Sequence, residues 1–244
     1  MRYARIVLLV LRTGDAMPEV AAHRGEFLRW IQEGIGDAWD GRWREHDPRI
    51  EDEPSLEPGR MCVVITGSAA SVTERAPWML RLEAWLRETV ARDVPVLGIC
   101  FGHQILAQAL GGHVAKNPRG REIGTVEIEA LASAAGDPVF RGLPPRFDAN
   151  ATHVDTVERL PEGATLLART SLESHAAFRV KRAWGVQFHP EIDGGIMRGY
   201  LEVRRGIIES EGLPWERMHR EARDAPQAIT LMRNFVSHVV RSPR

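Results

Sequence analysis

Only two of the 244 residues are cysteine, Cys62 and Cys100, too few for a disulfide framework. In a reducing compartment both stay free, and a free thiol is available for chemistry. Lysine is scarcer than expected too: Lys116 and Lys181 stand against thirty arginines, a bias we read as coding preference without functional weight. Neither lysine lies in a Gly-x-x-x-x-Gly-Lys-Ser/Thr loop, so the chain shows no sign of an ATP-using module. An excess of one charge is also missing. The net charge of −1 argues against nucleic acid or an anionic membrane as a partner held by bulk charge. No apolar run approaches the roughly 20 residues that span a bilayer, and residues 1–5 lead into a strand-like run and not a cleavable signal. The expected location is the cytoplasm. No His-Glu-x-x-His or Cys-x-x-Cys spacing occurs, so neither a metal nor another cofactor is expected. Repeats, low-complexity tracts and composition breaks are absent as well. With 43% apolar residues, the length suits one domain over residues 1–244.

The first half alternates short β-branched runs (5–11, 61–65, 95–99) with helical patterns, as βαβ units do. The expected class is α/β, with a mostly parallel mixed central sheet flanked by helices. One such helix, 77–92, puts Met79, Leu82, Leu86 and Val90 on a single stripe and starts with Pro77, whose missing N–H costs nothing in a first turn. Another follows at 104–110 and stops at Gly111-Gly112. From Gly124 on, closely spaced extended runs (125–128, 147–152, 165–170, 175–180 and 183–188) predict antiparallel hairpins added to the parallel core. Helices are expected again at 196–211 and 226–240, joined by a polar connection near 212–224. The charged, Pro-rich stretch 39–57 reads mainly as loop, with one strand near Trp43.

The chemistry concentrates at Gly98-Ile99-Cys100-Phe101-Gly102-His103-Gln104, between an apolar strand and a helix. A sharp strand-to-helix turn needs small residues on both sides of its nucleophile, and Gly98 and Gly102 supply them. The helix N-terminus favours a thiolate at Cys100. Cys62, inside Met61-Cys62-Val63-Val64-Ile65, reads as a small buried hydrophobe. A nucleophile needs a base and the base an orienting group. His189 ends a strand in Gln187-Phe188-His189-Pro190-Glu191, where Pro190 keeps the backbone extended and places Glu191 on the same side as the ring. A Cys100–His189–Glu191 triad follows. The pair His153 and Asp155 has the same i,i+2 spacing and ranks second; His103 is too close to Cys100 in sequence to approach the thiol from the opposite side. The Phe101 N–H is one expected oxyanion donor. Gly67, after the strand 61–65, is either the second donor or a plain turn glycine.

With these residues in place, the chain resembles the class I, triad-type glutamine amidotransferases. The Cys100 segment resembles that family's nucleophile motif and Gln187-Phe188-His189-Pro190-Glu191 its His-Pro-Glu motif. Thr66-Gly67-Ser68 with Ser71-Val72 resembles its oxyanion strand, which reads Gly-Gly-Pro in the GMP synthetase branch. Thr152-His153-Val154-Asp155 resembles its Ser-His-Gly-Asp segment. The resemblance implies a flavodoxin-like fold and hydrolysis of the glutamine side-chain amide through a γ-glutamyl thioester, releasing glutamate and ammonia. It also implies glutamine contacts at Gly67, Phe101 and Gln104, with Thr152, His153, Val154 and Asp155 around the amino-acid end. Ammonia would pass to a separate synthetase subunit, and a helical addition near 193–224 resembles one in stand-alone members. A γ-glutamyl peptidase uses the same triad, and a catalytically silent regulatory binder is the third alternative. A panel of γ-glutamyl peptides against glutamine separates the first two by relative kcat/KM.

Overall fold

Apolar runs whose residues are buried on both faces become the central strands. The computed structural model describes residues 6–240. In chain order, β1 (Val7–Leu11) is followed by α1 (Pro18–Arg24), α2 (Phe27–Ile35) and β2 (Arg42–His46). Then come β3 (Met61–Ile65), α3 (Pro77–Ala91), β4 (Val96–Ile99) and α4 (Phe101–Ala109). The middle of the chain supplies β5 (His113–Lys116), β6 (Glu122–Ala130), β7 (Arg146–His153), β8 (Asp155–Arg159), β9 (Thr165–Arg169), β10 (Ala177–Val180) and β11 (Ala183–Val186). Helices α5 (Gly194–Val203), α6 (Arg205–Ser210), α7 (Trp215–Glu221) and α8 (Pro226–Asn234) follow, and α8 runs into a π-helical turn at Phe235–Val239.

Among the described residues, nine strands form one mixed sheet in the order β2-β1-β3-β4-β11-β10-β9-β6-β7. The first five are mutually parallel, and the remaining four extend the sheet as antiparallel neighbours. A separate two-stranded ladder pairs β5 with β8.

The period of two along a strand divides the core into layers. In β3, Met61, Val63 and Ile65 face α3 and α4 through Met79, Leu82, Leu86, Phe101 and Ile105. Cys62 and Val64 face the opposite layer, with Ile31 and Ile35 of α2 and Leu231, Met232 and Phe235 beyond them. Cys62 is therefore core, as its neighbours in sequence suggest. A third cluster joins α5 to the first two helices through Val20, Phe27, Trp30, Ile196, Met197 and Tyr200. The addition is thus packed against α1, α2 and β6.

Differences from the sequence expectations are local. The expected strand 5–11 is observed from Val7, with residues 1–5 outside the described part. The expected helix 196–211 is two helices, broken at Arg204. The polar connection 212–224 contains α7, none of whose residues is buried, so no apolar stripe marked it. Among the described residues, no helix is long and apolar enough to cross a membrane.

Candidate active site

β4 lies inside the parallel core and ends at the turn to α4, where Cys100 adopts φ 52° and ψ −103°. This is a left-handed φ on a non-glycine residue, a strain of order 1–3 kcal/mol that the surroundings must hold. They hold it by hydrogen bonds on both sides: the Cys100 N–H donates to Val186 at 2.8 Å, and the Gln104 N–H to the Cys100 carbonyl at 3.1 Å. The flanking glycines are required by contact. A Cβ on Gly98 would lie 2.4 Å from the Gly102 carbonyl oxygen, and one on Gly102 would lie 2.5 Å from that of Ile65. Since both obstacles are backbone, Gly98→Ala is expected to cost about 2–3 kcal/mol. That corresponds to a fall in thermal midpoint of roughly 4–12 °C, measurable by circular dichroism; an unchanged midpoint would refute the tight-elbow reading.

His189 is fixed from several sides. Its N–H donates to the Asn150 carbonyl at 2.7 Å, joining the segment after β11 to β7, and the Asn150 side chain donates to Ile192 at 2.8 Å. The ring lies 6.5 Å from Phe27, nearly parallel to it. Nδ1 donates to Glu191 Oε1 at 2.7 Å, and both side chains are buried. That leaves Nε2 without a conventional partner beside the thiol. Gly67 makes this approach possible, because a Cβ there would meet His189 Cε1 at 2.9 Å and the Cys100 Cβ at 3.8 Å.

Electrostatics couple the two groups. Burial alone pushes the Cys100 thiol up, but the charge and hydrogen bonding of His189 outweigh it and the net displacement is downward. Burial pulls His189 down, whereas Glu191 and Cys100 raise it further than burial lowers it. Both displacements favour the pair of charges, a thiolate beside an imidazolium, over the neutral pair. Cys62 has no such partner, and burial pushes its thiol well above the usual range.

The second-ranked histidine has a different position. His153, at the end of β7, directs Nε2 to Glu122 at 3.0 Å and Nδ1 to the Asp155 carbonyl at 3.0 Å. Both partners are acceptors, so the ring carries both protons. Burial works against that charge, but Glu122 raises the group more. Neither nitrogen is left for the thiol. The Asp155 carboxylate instead accepts from Ser71 Oγ, tying this segment to the one that holds Gly67. His103 is buried against Gly185 and Phe178, and burial pulls it down to about 3.

A cleft of about 280 Å³ opens over Cys100, lined by Ser68, Ser71, Gln104 and residues 152–155. Thr152 offers its carbonyl to the thiol at 3.9 Å. Gln104 donates from Nε2 to the Asp155 carbonyl and to Gln187 Oε1, each at 3.0 Å, so its amide nitrogen braces the cleft wall. Of the expected site residues, Cys100, Gln104 and residues 152–155 line this cleft; Gly67 and His189 meet beside Cys100, Glu191 lies against His189, and the Phe101 side chain packs into the α3–α4 layer. Arg121 and Arg204, also on its wall, and Glu122 behind it were not expected from the sequence.

A model of the class I glutamine amidotransferase domain matches residues 45–202, well over half of the chain. The chain belongs to the class I glutamine amidotransferases. Its sheet, with helices on both faces, is the flavodoxin-like fold of that family. The glutamine-hydrolysing GMP synthase of Thermomicrobium roseum is 42% identical over 130 residues, covering 53% of this chain and 23% of that protein. A glutamine-hydrolysing GMP synthase subunit of Methanosarcina acetivorans is 43% identical over 102 residues, covering 41% of this chain and 52% of that protein. The chain therefore spans only part of these relatives. A glutamine amidotransferase of Thermotoga maritima superposes with a TM-score of 0.76 over 98% of this chain and 99% of that one. At 23% identity, that likeness shows the fold alone.

Proposed function

We propose that this chain hydrolyses the side-chain amide of glutamine, with Cys100 as nucleophile, His189 as proton carrier and Glu191 as its orienter. The observation that carries the reading is the positive-φ elbow, which holds a downshifted thiol beside a buried, carboxylate-bound imidazole. The Cys100 thiolate attacks the amide carbon, and the tetrahedral oxygen is met by the backbone N–H groups of Gly67 and Phe101. His189 gives its proton to the leaving nitrogen, ammonia departs and a γ-glutamyl thioester remains. Water then attacks the thioester, losing a proton to the neutral imidazole, and glutamate leaves as the thiolate re-forms. Glu191 keeps Nδ1 occupied, so the proton traffic runs through Nε2. Gln104 and residues 152–155 position the γ-glutamyl group in the cleft.

The extent and setting are part of the same proposal. Residues 1–244 act as one cytoplasmic domain with a helical addition at 193–224, and a separate synthetase subunit receives the ammonia. The naming of the Methanosarcina relative as one subunit of a GMP synthase supports that last step. Incubation of the purified chain with L-glutamine tests the reaction. Glutamate and ammonia in equal amounts are expected; release of glutamate from γ-glutamyl peptides at a higher kcat/KM would make it a peptidase instead.

A further inference from the structure

The helical addition places one charge on the cleft wall that the protein itself does not balance. Two guanidiniums line the cleft, Arg121 and Arg204. Arg121 donates to both carboxylate oxygens of Glu211, at 2.8 and 3.0 Å. Arg204, at the break between α5 and α6, donates from Nη1 to Thr152 Oγ1 and lies with its guanidinium carbon 5.6 Å from the Tyr200 ring centroid. Both of these partners are neutral, and Arg204 forms no carboxylate pair among the described residues. Burial and the nearby Arg121 pull the Arg204 guanidinium below its ordinary value, a cost that a bound anion would relieve.

Thr152 sets the reach. Its carbonyl is 3.9 Å from Cys100 Sγ, while its hydroxyl holds Arg204, so one residue spans the interval from nucleophile to guanidinium. An extended γ-glutamyl chain places its α-carboxylate four bonds, roughly 5 Å, from the carbon under attack. A planar guanidinium with free N–H groups suits a carboxylate better than any other group on that wall. We propose that Arg204 receives the free α-carboxylate of a γ-glutamyl substrate, so that the helical addition restricts the site to substrates retaining it. This rests on the γ-glutamyl reading above.

The test compares L-glutamine with its α-carboxamide derivative on the wild type, Arg204→Gln and Arg204→Lys. The wild type is expected to prefer glutamine by about 10- to 100-fold in kcat/KM, mostly through KM. That preference should collapse towards unity in Arg204→Gln and return in part in Arg204→Lys. Equal losses on both substrates, with the preference intact, would overturn the proposal and leave Arg204 as a brace for Thr152. If the wild type hydrolyses neither compound, the glutaminase reading fails, and iodoacetamide alkylation of Cys100 then decides the role of Arg204. Protection by L-glutamate but not by its α-amide, lost in Arg204→Gln, supports the assignment; equal protection by the two, or none, overturns it.

Discussion

Cys100→Ser is expected to lower glutamate release from glutamine by about 10⁴-fold or more while leaving the thermal midpoint close to that of the wild type. The hydroxyl is nearly the size of the thiol, so the elbow and its hydrogen bonds to Val186 and Gln104 persist. What is lost is the anion. A thiol brought down by a neighbouring imidazolium gives up its proton more readily, whereas a serine hydroxyl must surrender its proton during attack, to a base whose own proton is stabilised by buried Glu191. A site built for an ion pair is thus poorly suited to a neutral oxygen nucleophile. Timed glutamate assays on both proteins check this, and activity within tenfold of the wild type in the variant would contradict it.

His189→Ala is expected to reduce kcat/KM by about 10³-fold, within the usual range for removing a general acid–base group. It should also move the thiol in a predictable direction. In the wild type the thiolate is present above its lowered pKa and is lost as pH falls through it, while the imidazolium keeps its proton until pH rises through its raised value. The ion pair therefore occupies the window between the lowered thiol value and the raised imidazole value. Without the imidazole, burial becomes the dominant influence and pushes the thiol up. Alkylation of Cys100 by iodoacetamide at pH 7 should slow, and its pH profile should shift to higher pH. An unchanged profile would show that the helix N-terminus and His153 set the thiol without His189.

Legibility in the sequence followed the range of the forces involved. The elbow was readable because its constraint is local: two glycines within two residues of the cysteine answer contacts of 2.4 and 2.5 Å. His189 and Glu191 were readable because an extended backbone before proline puts i and i+2 on one side. Central strands showed as continuous apolar runs because both their faces are covered. Helix α2 has an equally regular stripe in Phe27, Trp30, Ile31 and Ile35, and that signal could have located it. Helix α7 only half-buries Trp215 and Met218, and β5 and β8 pair only with each other outside the main sheet, so neither leaves a strong pattern. Arg204 and Glu122 are different again. One arginine among thirty or one glutamate among many carries no local mark, and each reaches the site only through tertiary packing.

His153 shows how far spacing alone can go. Its i,i+2 relation to Asp155 matched that of His189 and Glu191, yet the fold gives it Glu122 across the β6–β7 pair, while Asp155 turns to Ser71. Register across a sheet, not separation along the chain, chose the partner.

The most direct test of a γ-glutamyl site centred on Cys100 is covalent labelling with a chloroketone built on the carbon skeleton of L-glutamine, followed by peptide mass spectrometry. The expected result is one label per chain, on Cys100 and not on Cys62, slowed by L-glutamine and by His189→Ala. Labelling of Cys62 at an equal rate, or labelling of Cys100 that glutamine does not slow, would contradict it.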